Sequence, residues 1–241
     1  MSRPVRLRGI AVSGGIATAD ARVVDRRRIR IPRRRLEAAD VDREIERLET
    51  AIDEARRQLA SAKQAIVDAG GGRGDHSLIL DAHLLMLEDV LLVRAAFDVI
   101  RQRRINAEWA LHRKMDEAKA ELANLGDVYL SERSQDVEFV GNRVLRNLLG
   151  HGTEVDDSLA DEAPCVLVAT SLSPAETAHL VRGSVAAIAT EEGTRTSHTA
   201  IMAQALGIPA VLGVERLVER VEPGDRIAVD GDAGEVVLRP D

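Results

Sequence analysis

The chain has 241 residues, which is enough for one large domain or two smaller ones with a buried core. Its net charge of −7 and its aromatic content of 2% argue against a nucleic-acid binder, because such proteins use basic surfaces and aromatic rings. The single cysteine, Cys165, excludes an intramolecular disulfide and a cysteine-rich zinc site, and its apolar neighbours predict a buried strand thiol.

The N-terminal segment loosely resembles a secretory signal, since arginines precede a mildly apolar stretch. Ser13, Gly14 and Gly15 interrupt that stretch, so it is too short for the apolar region of a signal. No apolar run in the sequence reaches the length of a membrane span. We therefore expect a cytoplasmic protein.

The first elements predicted, at residues 5–24, are a strand, a glycine turn and a second strand. The basic run at 26–35 is interpreted as a solvated linker or edge strand, because the chain is acidic overall. Beyond it, apolar residues recur alternately four and three positions apart, which predicts one long amphipathic helix that the glycines of 69–75 end. The stripe consists of Val41, Ile45, Leu48, Ile52, Ala55, Leu59, Ala62 and Ile66.

Three more helices are predicted, at 77–103, 107–125 and 127–149. Short links between the helices favour an intramolecular bundle of four with its own core. The alternative, a coiled coil, is disfavoured because the first helix holds fewer than four heptads and places alanines at the seam.

After Gly150 the pattern changes to short β-branched runs that alternate with helical pieces and turns. The helical pieces lie near 174–182 and at 198–206, and a closing hairpin lies at 230–238. Because the first strands find no partners in a bundle, we expect them to pair with this C-terminal sheet. The sequence thus predicts an α/β domain of residues 1–30 and 150–241, into which a helical domain of residues 31–149 is inserted.

The candidate reactive residue is His198, at the start of the predicted helix 198–206. Ser197 or Thr196 can cap this helix, and unpaired amides in its first turn favour an anion. A neutral imidazole there has a lone pair for nucleophilic attack, and the nearby Arg195 can meet phosphate oxygens. The predicted apolar face consists of Ile201, Met202, Ala205 and Leu206, and Gly207 and Pro209 end the helix.

These features alone leave open that His198 is merely a capped surface residue. A serine triad is disfavoured because the sequence has no G-x-S-x-G motif. The remaining histidines show no convincing ligand-pair spacing, so we expect no metal site in this chain.

The stretch "GTRTSHTAIMAQALGIPAVLG" at 193–213 resembles the phosphohistidine signature of the phosphoenolpyruvate (PEP)-utilising enzymes. Four more blocks resemble, in the same order, enzyme I of the bacterial phosphotransferase system: "GIAVSGGIATADA", "DAHLLMLED", "YLSERSQDVEFVGNRVLRNLLG" and "LVATSLSPAETAHL". The chain is therefore identified as a member of this family. The resemblance implies an α/β phosphohistidine domain of the swivelling type with an inserted all-α four-helix subdomain that binds the carrier protein HPr.

The resemblance also implies the function of a PEP-protein phosphotransferase. Nε2 of His198 would carry a phosphoryl group from PEP to a histidine of HPr, and the Thr177 hydroxyl would orient the imidazole. Phosphate would be stabilised by Arg195, Thr196, Ser197 and Thr199. The residues expected to face HPr are His83 and Arg133, with Asp75, His76 and Glu88 nearby.

Two features qualify these expectations. The family has two glycines before Arg-Thr-Ser-His, and here the second is Thr194, which is less free in its backbone angles. The family also implies a further C-terminal barrel that binds PEP and Mg²⁺. Without it, we expect this chain to be monomeric, to hold no cofactor and to exchange phosphate only with HPr, whereas the full enzyme would be a homodimer.

Three alternatives remain. The swivelling domain of pyruvate phosphate dikinase or PEP synthase shares the signature but lacks the helical insertion. An enzyme I-like domain of a dihydroxyacetone-kinase phosphotransfer subunit is a closer variant. A binding module without catalysis, with the bundle as its docking surface, belongs to a different class of protein.

Overall fold

The structure is a computed structural model that describes residues 4–24, 30–68, 75–88, 93–124, 128–150, 163–179 and 185–240. The chain divides into two compact units. The first consists of Met1–Arg28, Gln64–His76 and Thr153–Asp241, and the second of Ile29–Lys63 and Ser77–Gly152. This division assigns the segment Gln64–His76 to the first unit, whereas the sequence assigned it to the helical domain, so the predicted boundaries stay a prediction.

The first unit is built on one eight-stranded sheet with the order β1-β8-β7-β3-β4-β5-β6-β2. Its strands are β1 Val5–Arg8, β2 Ile10–Ser13, β3 Ile16–Val24, β4 Cys165–Ala169, β5 Val185–Thr190, β6 Ala210–Leu212, β7 Arg226–Asp230 and β8 Glu235–Leu238. Strands β3 to β6 run parallel, and the other pairings are antiparallel. The N-terminal strands pair with the C-terminal ones, and β7 and β8 form the closing hairpin, so both predictions are confirmed.

The central strand β4 is buried on both faces, which explains its uninterrupted apolar sequence. Val166 and Val168 join one core cluster, while Leu167 and Ala169 join the cluster on the other face. Cys165 belongs to the second cluster, and burial raises the pKa of its thiol. The buried strand thiol predicted from the sequence is confirmed.

The two ends of the sheet are formed by β1 and β2, which are separated in sequence only by Gly9. Because one residue spans only a few ångströms, the two ends of the sheet lie side by side and the sheet curls closed. A Cβ atom at Gly9 would lie 2.6 Å from the carbonyl oxygen of Leu212, so a side chain has no room at this crossing. The single strand predicted before the glycine turn is therefore two short strands that pair with opposite ends of the sheet.

The second unit is helical. The helices are α1 Val41–Asp68, preceded by a 3₁₀ turn at Ala38–Asp40, then α2 Asp75–Met86, α3 Ala95–Arg103, α4 Ala107–Asn124 and α5 Val128–Leu149. The end of α1 from Gln64 and the start of α2 up to His76 are assigned to the first unit. The predicted stripe on α1 is buried from Ile45 to Ala62. Side chains of α1 reach α5, as in the 3.0 Å hydrogen bond from Gln58 to Asn147, which confirms an intramolecular role for the stripe.

The prediction of one helix over 77–103 is wrong, because α2 and α3 are separate helices. Leu80 and His83 of α2 are buried, as is Leu87 directly after it, and this spacing corresponds to one helical face. A straight continuation of that face would point Arg94 and Asp98 at the core, yet both are exposed. The buried residues there are instead Val93, just before α3, and Ala96 and Ile100 of α3.

A charged cluster of Glu44, Arg47, Asn106 and Glu108, here called the Arg47 cluster, lies where the chain enters and leaves the helical unit. Arg47 pairs with both carboxylates and donates to the carbonyl of Leu148 at the end of α5. Asn106 bonds to the entering segment, accepting from the Arg34 amide at 2.8 Å and donating to the Pro32 carbonyl at 2.9 Å. The cluster thus ties together α1, α4, the end of α5 and the linker.

Over the part of the chain that the structure describes, none of the helices is both long enough and apolar enough to cross a membrane.

Candidate functional site

The helix that carries His198, α7 His198–Leu206, begins and ends where the sequence predicts. Ser197 is its N-cap, with an extended backbone and a side-chain oxygen that accepts from the Ala200 amide. At the other end Gly207 has φ +65° and its amide bonds to the carbonyls of Ala203 and Gln204. Both local signals therefore fix the position of His198 in the first turn.

The predicted apolar face of α7 is partly wrong. Ile201 is 38% exposed and Ala205 is exposed, whereas Ala200 and Ala203 are fully buried against the sheet. Met202 is buried as predicted. The helix turns its smallest side chains to the strands because they allow a close approach, and the bulkier Ile201 points outward.

The loop before α7 tolerates the threonine found in place of the family's second glycine. Gly193 has φ +124°, a left-handed conformation that favours glycine, whereas Thr194 has no positive φ. The carbonyl of Thr194 accepts from the Ser197 hydroxyl at 2.9 Å and from the Ser197 amide at 3.2 Å. The Thr194 side chain therefore does not strain this loop.

The imidazole of His198 contacts the segment that precedes the next helix, α6 Pro174–His179. Its Nε2 lies 2.5 Å from the carbonyl oxygen of Leu172. A carbonyl only accepts hydrogen bonds, so this contact requires a proton on Nε2. In a neutral ring the lone pair is then on Nδ1.

Thr177 is completely buried in α6, next to this segment. Its hydroxyl lies 2.8 Å from the carbonyl of Pro174 and 3.2 Å from that of Ser173. Its proton is therefore directed to the backbone, and a lone pair of Oγ1 is left to accept from an imidazole N–H. The orienting role expected of Thr177 stays a prediction.

The remaining residues expected to bind phosphate differ in exposure. Arg195 and Thr196 are exposed, and the Thr196 hydroxyl lies 3.1 Å from that of Thr194. Ser197 serves as the cap, while Thr199 is 5% exposed and lies within 3.5 Å of the Leu172 carbonyl. Arg195 is thus the accessible cation next to His198 in sequence, and Thr199 is placed in the interior.

The residues expected to face a partner are brought together only in part. His83 is 1% exposed and its Nε2 lies 3.0 Å from Oδ1 of Asp136 on α5, so it joins two helices rather than facing outward. Its motif identified the helix correctly, but the sequence could not show which face is covered. Glu88 is exposed and lines a groove of about 550 Å³ beside α1 and α3. The side chains of Asp75, His76 and Arg133 lie outside the described residues.

Two features of the site were missed from the sequence. The helix α2 exposes Leu78 (63%) and Leu85 (67%), seven residues apart on one face. The signal for this was available, since the apolar residues of α2 are not confined to one face and some of them therefore stay outside the core.

The second feature is the Ser173-x-x-Glu176 pattern, a capping box at the start of α6.

Within the described residues no group of three or more His, Cys, Asp or Glu side chains is arranged to hold a metal ion.

Two family models match the chain. The model described as "PEP-utilising enzyme, N-terminal" matches residues 8–133, and "PEP-utilising enzyme, mobile domain" matches residues 161–234. Because the first model covers more than half of the chain, the chain belongs to the family of PEP-utilising enzymes. The second match contains α6, α7 and His198.

Curated relatives agree with this family. A phosphoenolpyruvate-protein phosphotransferase of Geobacillus stearothermophilus is 37% identical over 238 residues, which are 99% of this chain and 40% of that protein. A protein of the same name from Listeria monocytogenes is also 37% identical, over 97% of this chain and 40% of the relative. The chain thus spans about 40% of the length of the curated relatives it matches.

Solved structures agree with the fold. An NMR structure described as Enzyme I (nEIt) has a TM-score of 0.75 and 33% identity, and the match covers 98% of this chain and 93% of that one. A structure described as the N-terminal domain of Enzyme 1 - Nitrogen has a TM-score of 0.64 and 27% identity, with 98% and 94% covered. The predicted fold class, an α/β domain with an inserted helical part, is confirmed.

Proposed function

We propose that this chain is the phosphoryl-carrier part of a PEP-protein phosphotransferase, and that His198 accepts a phosphoryl group and passes it to a histidine of HPr. The observation that carries the proposal is an imidazole in the first turn of α7, in contact with the backbone carbonyl of Leu172, within the region that matches the mobile domain. The helix dipole and the nearby Arg195 favour the negative charge of a phosphoryl group there.

The reaction is a transfer between two imidazoles. In the forward step an imidazole lone pair of HPr attacks the phosphorus, a new N–P bond forms, and the bond to Nε2 of His198 breaks with its electron pair returning to Nε2. In the reverse step Nε2 of His198 attacks phospho-HPr, whose N–P bond breaks. The transfer from PEP is analogous, with the enol oxygen leaving. Positioning and charge stabilisation supply most of the catalysis in such transfers.

The contact of Nε2 with Leu172 has a consequence for this chemistry. A nitrogen that donates a hydrogen bond has no lone pair to offer, so the imidazole must leave the Leu172 carbonyl before Nε2 reacts. The proton must also move from Nε2 to Nδ1 by exchange with solvent, after which Nδ1–H can donate to the Leu172 carbonyl or to Oγ1 of Thr177 while Nε2 keeps its lone pair. The resting conformation is thus unreactive, and the reactive one requires both a side-chain rotation and this proton exchange.

The test is phosphorylation by phospho-HPr, followed by ³¹P NMR. The wild-type chain should give a phosphoramidate resonance, and His198→Ala should give none. The matched control is His112→Ala, which removes an exposed imidazole paired with Asp116 on α4 and should leave the resonance unchanged. A phosphoramidate signal that persists in His198→Ala would contradict the proposal.

For HPr we propose a docking surface on the outward face of α2. Leu78 and Leu85 are large apolar side chains exposed on one helical face, and the exposed Glu88 follows beyond the helix end. Apolar side chains flanked by charge are typical of a protein-binding surface. His83 supports this face from inside through its bond to Asp136.

Leu85→Glu tests this surface. The change should raise the Kd for HPr by tenfold or more, since it introduces a charge in a desolvated contact, and it should leave the transfer rate within the complex unchanged. Ile16→Glu is the control, because Ile16 is an equally exposed apolar residue (69%) on β3 of the other unit. Unchanged affinity in Leu85→Glu would place the HPr surface elsewhere.

The other features of the full enzyme remain proposals. We assign PEP and Mg²⁺ binding, and dimer formation, to the part of the relatives that this chain does not span, and we place the protein in the cytoplasm. The helical unit disfavours an isolated swivelling domain of the dikinase type. An enzyme I-like domain of a dihydroxyacetone-kinase subunit would carry a phosphoryl group in the same way. The ³¹P experiment separates these two phosphoryl carriers from a binding module, which would give no phosphoramidate resonance.

A further inference from the structure

Glu176 is a buried carboxylate to which the phosphoryl transfer itself gives no role. It is 3% exposed, and its Oε2 accepts hydrogen bonds from the amide of Ser173 at 2.9 Å and from the Ser173 hydroxyl at 3.0 Å. The Glu176 amide in turn approaches the Ser173 hydroxyl oxygen at 3.3 Å. Two donors on one carboxylate oxygen fix the backbone at Ser173, which is itself 5% exposed.

The segment held in this way supplies three carbonyl groups to the site. The carbonyl of Leu172 meets Nε2 of His198. Those of Ser173 and Pro174 accept from the Thr177 hydroxyl. Since carbonyls only accept, their directions decide which imidazole nitrogen carries a proton and where the Thr177 proton points.

We propose that Glu176 is a positioning residue for phosphoryl transfer. By holding Ser173 it fixes the carbonyl groups that set the rotamer and the proton position of the His198 imidazole. The inference rests on the proposed function of His198. It extends that function, because it assigns the control of the imidazole to a carboxylate on α6 that acts through the backbone of Ser173.

Loss of the carboxylate should slow the transfer step without weakening partner binding. Without it the Ser173 amide and hydroxyl lose this acceptor, and the Leu172–Pro174 segment relaxes. In the reactive state the Nδ1–H then has no fixed acceptor, so Nε2 is less well aligned with the phosphoryl group even though the resting contact is also weaker. A misplacement of about 1 Å costs on the order of 100-fold in rate, so we expect Glu176→Ala to slow transfer about 10- to 100-fold. The Kd for HPr should not change, because Glu176 does not lie on α2.

The experiment measures single-turnover transfer from phospho-HPr to the whole chain, together with the ¹⁵N shifts of the His198 ring. Glu176→Gln keeps an oxygen acceptor of the same reach and should stay within a few-fold of the wild-type rate. The control is Asp230→Ala, which removes a carboxylate that accepts from the amides of Asp232 (3.0 Å) and Ala233 (2.8 Å) in the β7–β8 hairpin. This control should change neither the rate nor the ring shifts.

In the wild-type protein the ring shifts should report a proton on Nε2, and in Glu176→Ala they should move towards a mixture of the two tautomers. Wild-type rate and shifts in Glu176→Ala overturn the inference while leaving the role of His198 intact. An equal loss in the Gln and Ala variants also overturns it. If the wild-type chain accepts no phosphate, the proposed function fails, and the ring shifts still test the contact.

Circular dichroism shows whether each variant is folded. If Glu176→Ala does not fold, Glu176→Asp takes its place, because its carboxylate is one methylene too short to reach both donors of Ser173. A wild-type transfer rate in Glu176→Asp would then refute the positioning role.

Discussion

The Arg47 cluster allows a quantitative prediction for the substitution Arg47→Ala. The Glu108 side chain is 3% exposed and pairs with Arg47, while the guanidinium also bonds to Glu44 at 2.6 Å and to the Leu148 carbonyl at 3.0 Å. Removing Arg47 leaves the Glu108 carboxylate buried with Asn106 as a neutral donor at 2.7 Å. The substitution should therefore lower the free energy of unfolding, because the buried carboxylate no longer has an ionic partner.

The expected magnitude follows from that burial. Breaking a buried ion pair by removing one partner costs about 3–5 kcal/mol of unfolding free energy. With a urea m-value of about 1–3 kcal/mol per M, the midpoint should fall by at least about 1 M. The double variant Arg47→Ala with Glu108→Gln should recover part of this loss, because no charge is then left buried.

Urea unfolding followed by circular dichroism and by the fluorescence of Trp109 measures this. Trp109 is the only tryptophan of the chain and lies in α4 next to Glu108, so its signal reports on the helical unit. The matched control is Arg57→Ala on the same helix, whose pairing with Glu54 is exposed to solvent and should leave the midpoint close to wild type. An equal midpoint for the Arg47 and Arg57 variants would refute the reasoning.

Two further predictions concern pH and backbone conformation. Burial acts to raise the pKa of Glu108, but hydrogen bonds from Arg47, its own amide and Asn106 outweigh it, so the pKa lies below its ordinary value of 4.5. This stabilisation is complete above about pH 5 and is lost as the pH falls through the folded-state pKa, so wild-type stability should fall more steeply from pH 5 to 3 than that of Glu108→Gln. Gly207→Ala should lower the free energy of unfolding by about 1 kcal/mol, because φ at this position is +65°, a conformation that costs a residue with a Cβ. Nothing lies within 4 Å of the added Cβ, so the loss comes from the backbone, and Gly207→Asn should lose less because asparagine tolerates this conformation better. Thermal unfolding measures both variants, and equal stability of Gly207→Ala and wild type would contradict the prediction.

The sequence predicts most accurately those features that depend on residues close together in the chain, such as the ends of helices. The bounds of α7 follow from the Ser197 cap and the Gly207 end, and both signals lie within a few residues of the helix. The buried face of that helix depends instead on how closely the sheet approaches. Ala200 and Ala203 therefore face the strands in place of the bulkier Ile201, and no local pattern decides this.

The same distinction applies to the site and to the helical unit. The helix α2 ends at Met86, and the apolar run from Leu84 onwards in the sequence hides this end. The position of His198 in the first turn was predictable, but its contact with Leu172 joins residues 26 apart in sequence. Likewise, the sequence led us to expect that His83 faces a partner. Its spacing could not show the hydrogen bond to Asp136 on α5.

The strand that closes the sheet also constrains how the protein folds. Val5 pairs with Leu238, and β3 pairs with β4 across the whole helical insertion, so most of the chain separates the partners. Contacts of such long range form slowly, whereas α3, α4 and α5 pack against near neighbours in sequence. We therefore expect the helical unit to fold first during synthesis. The N-terminal strands cannot complete the sheet until β7 and β8 have left the ribosome, and until then Leu7 and Ala19 stay exposed to solvent.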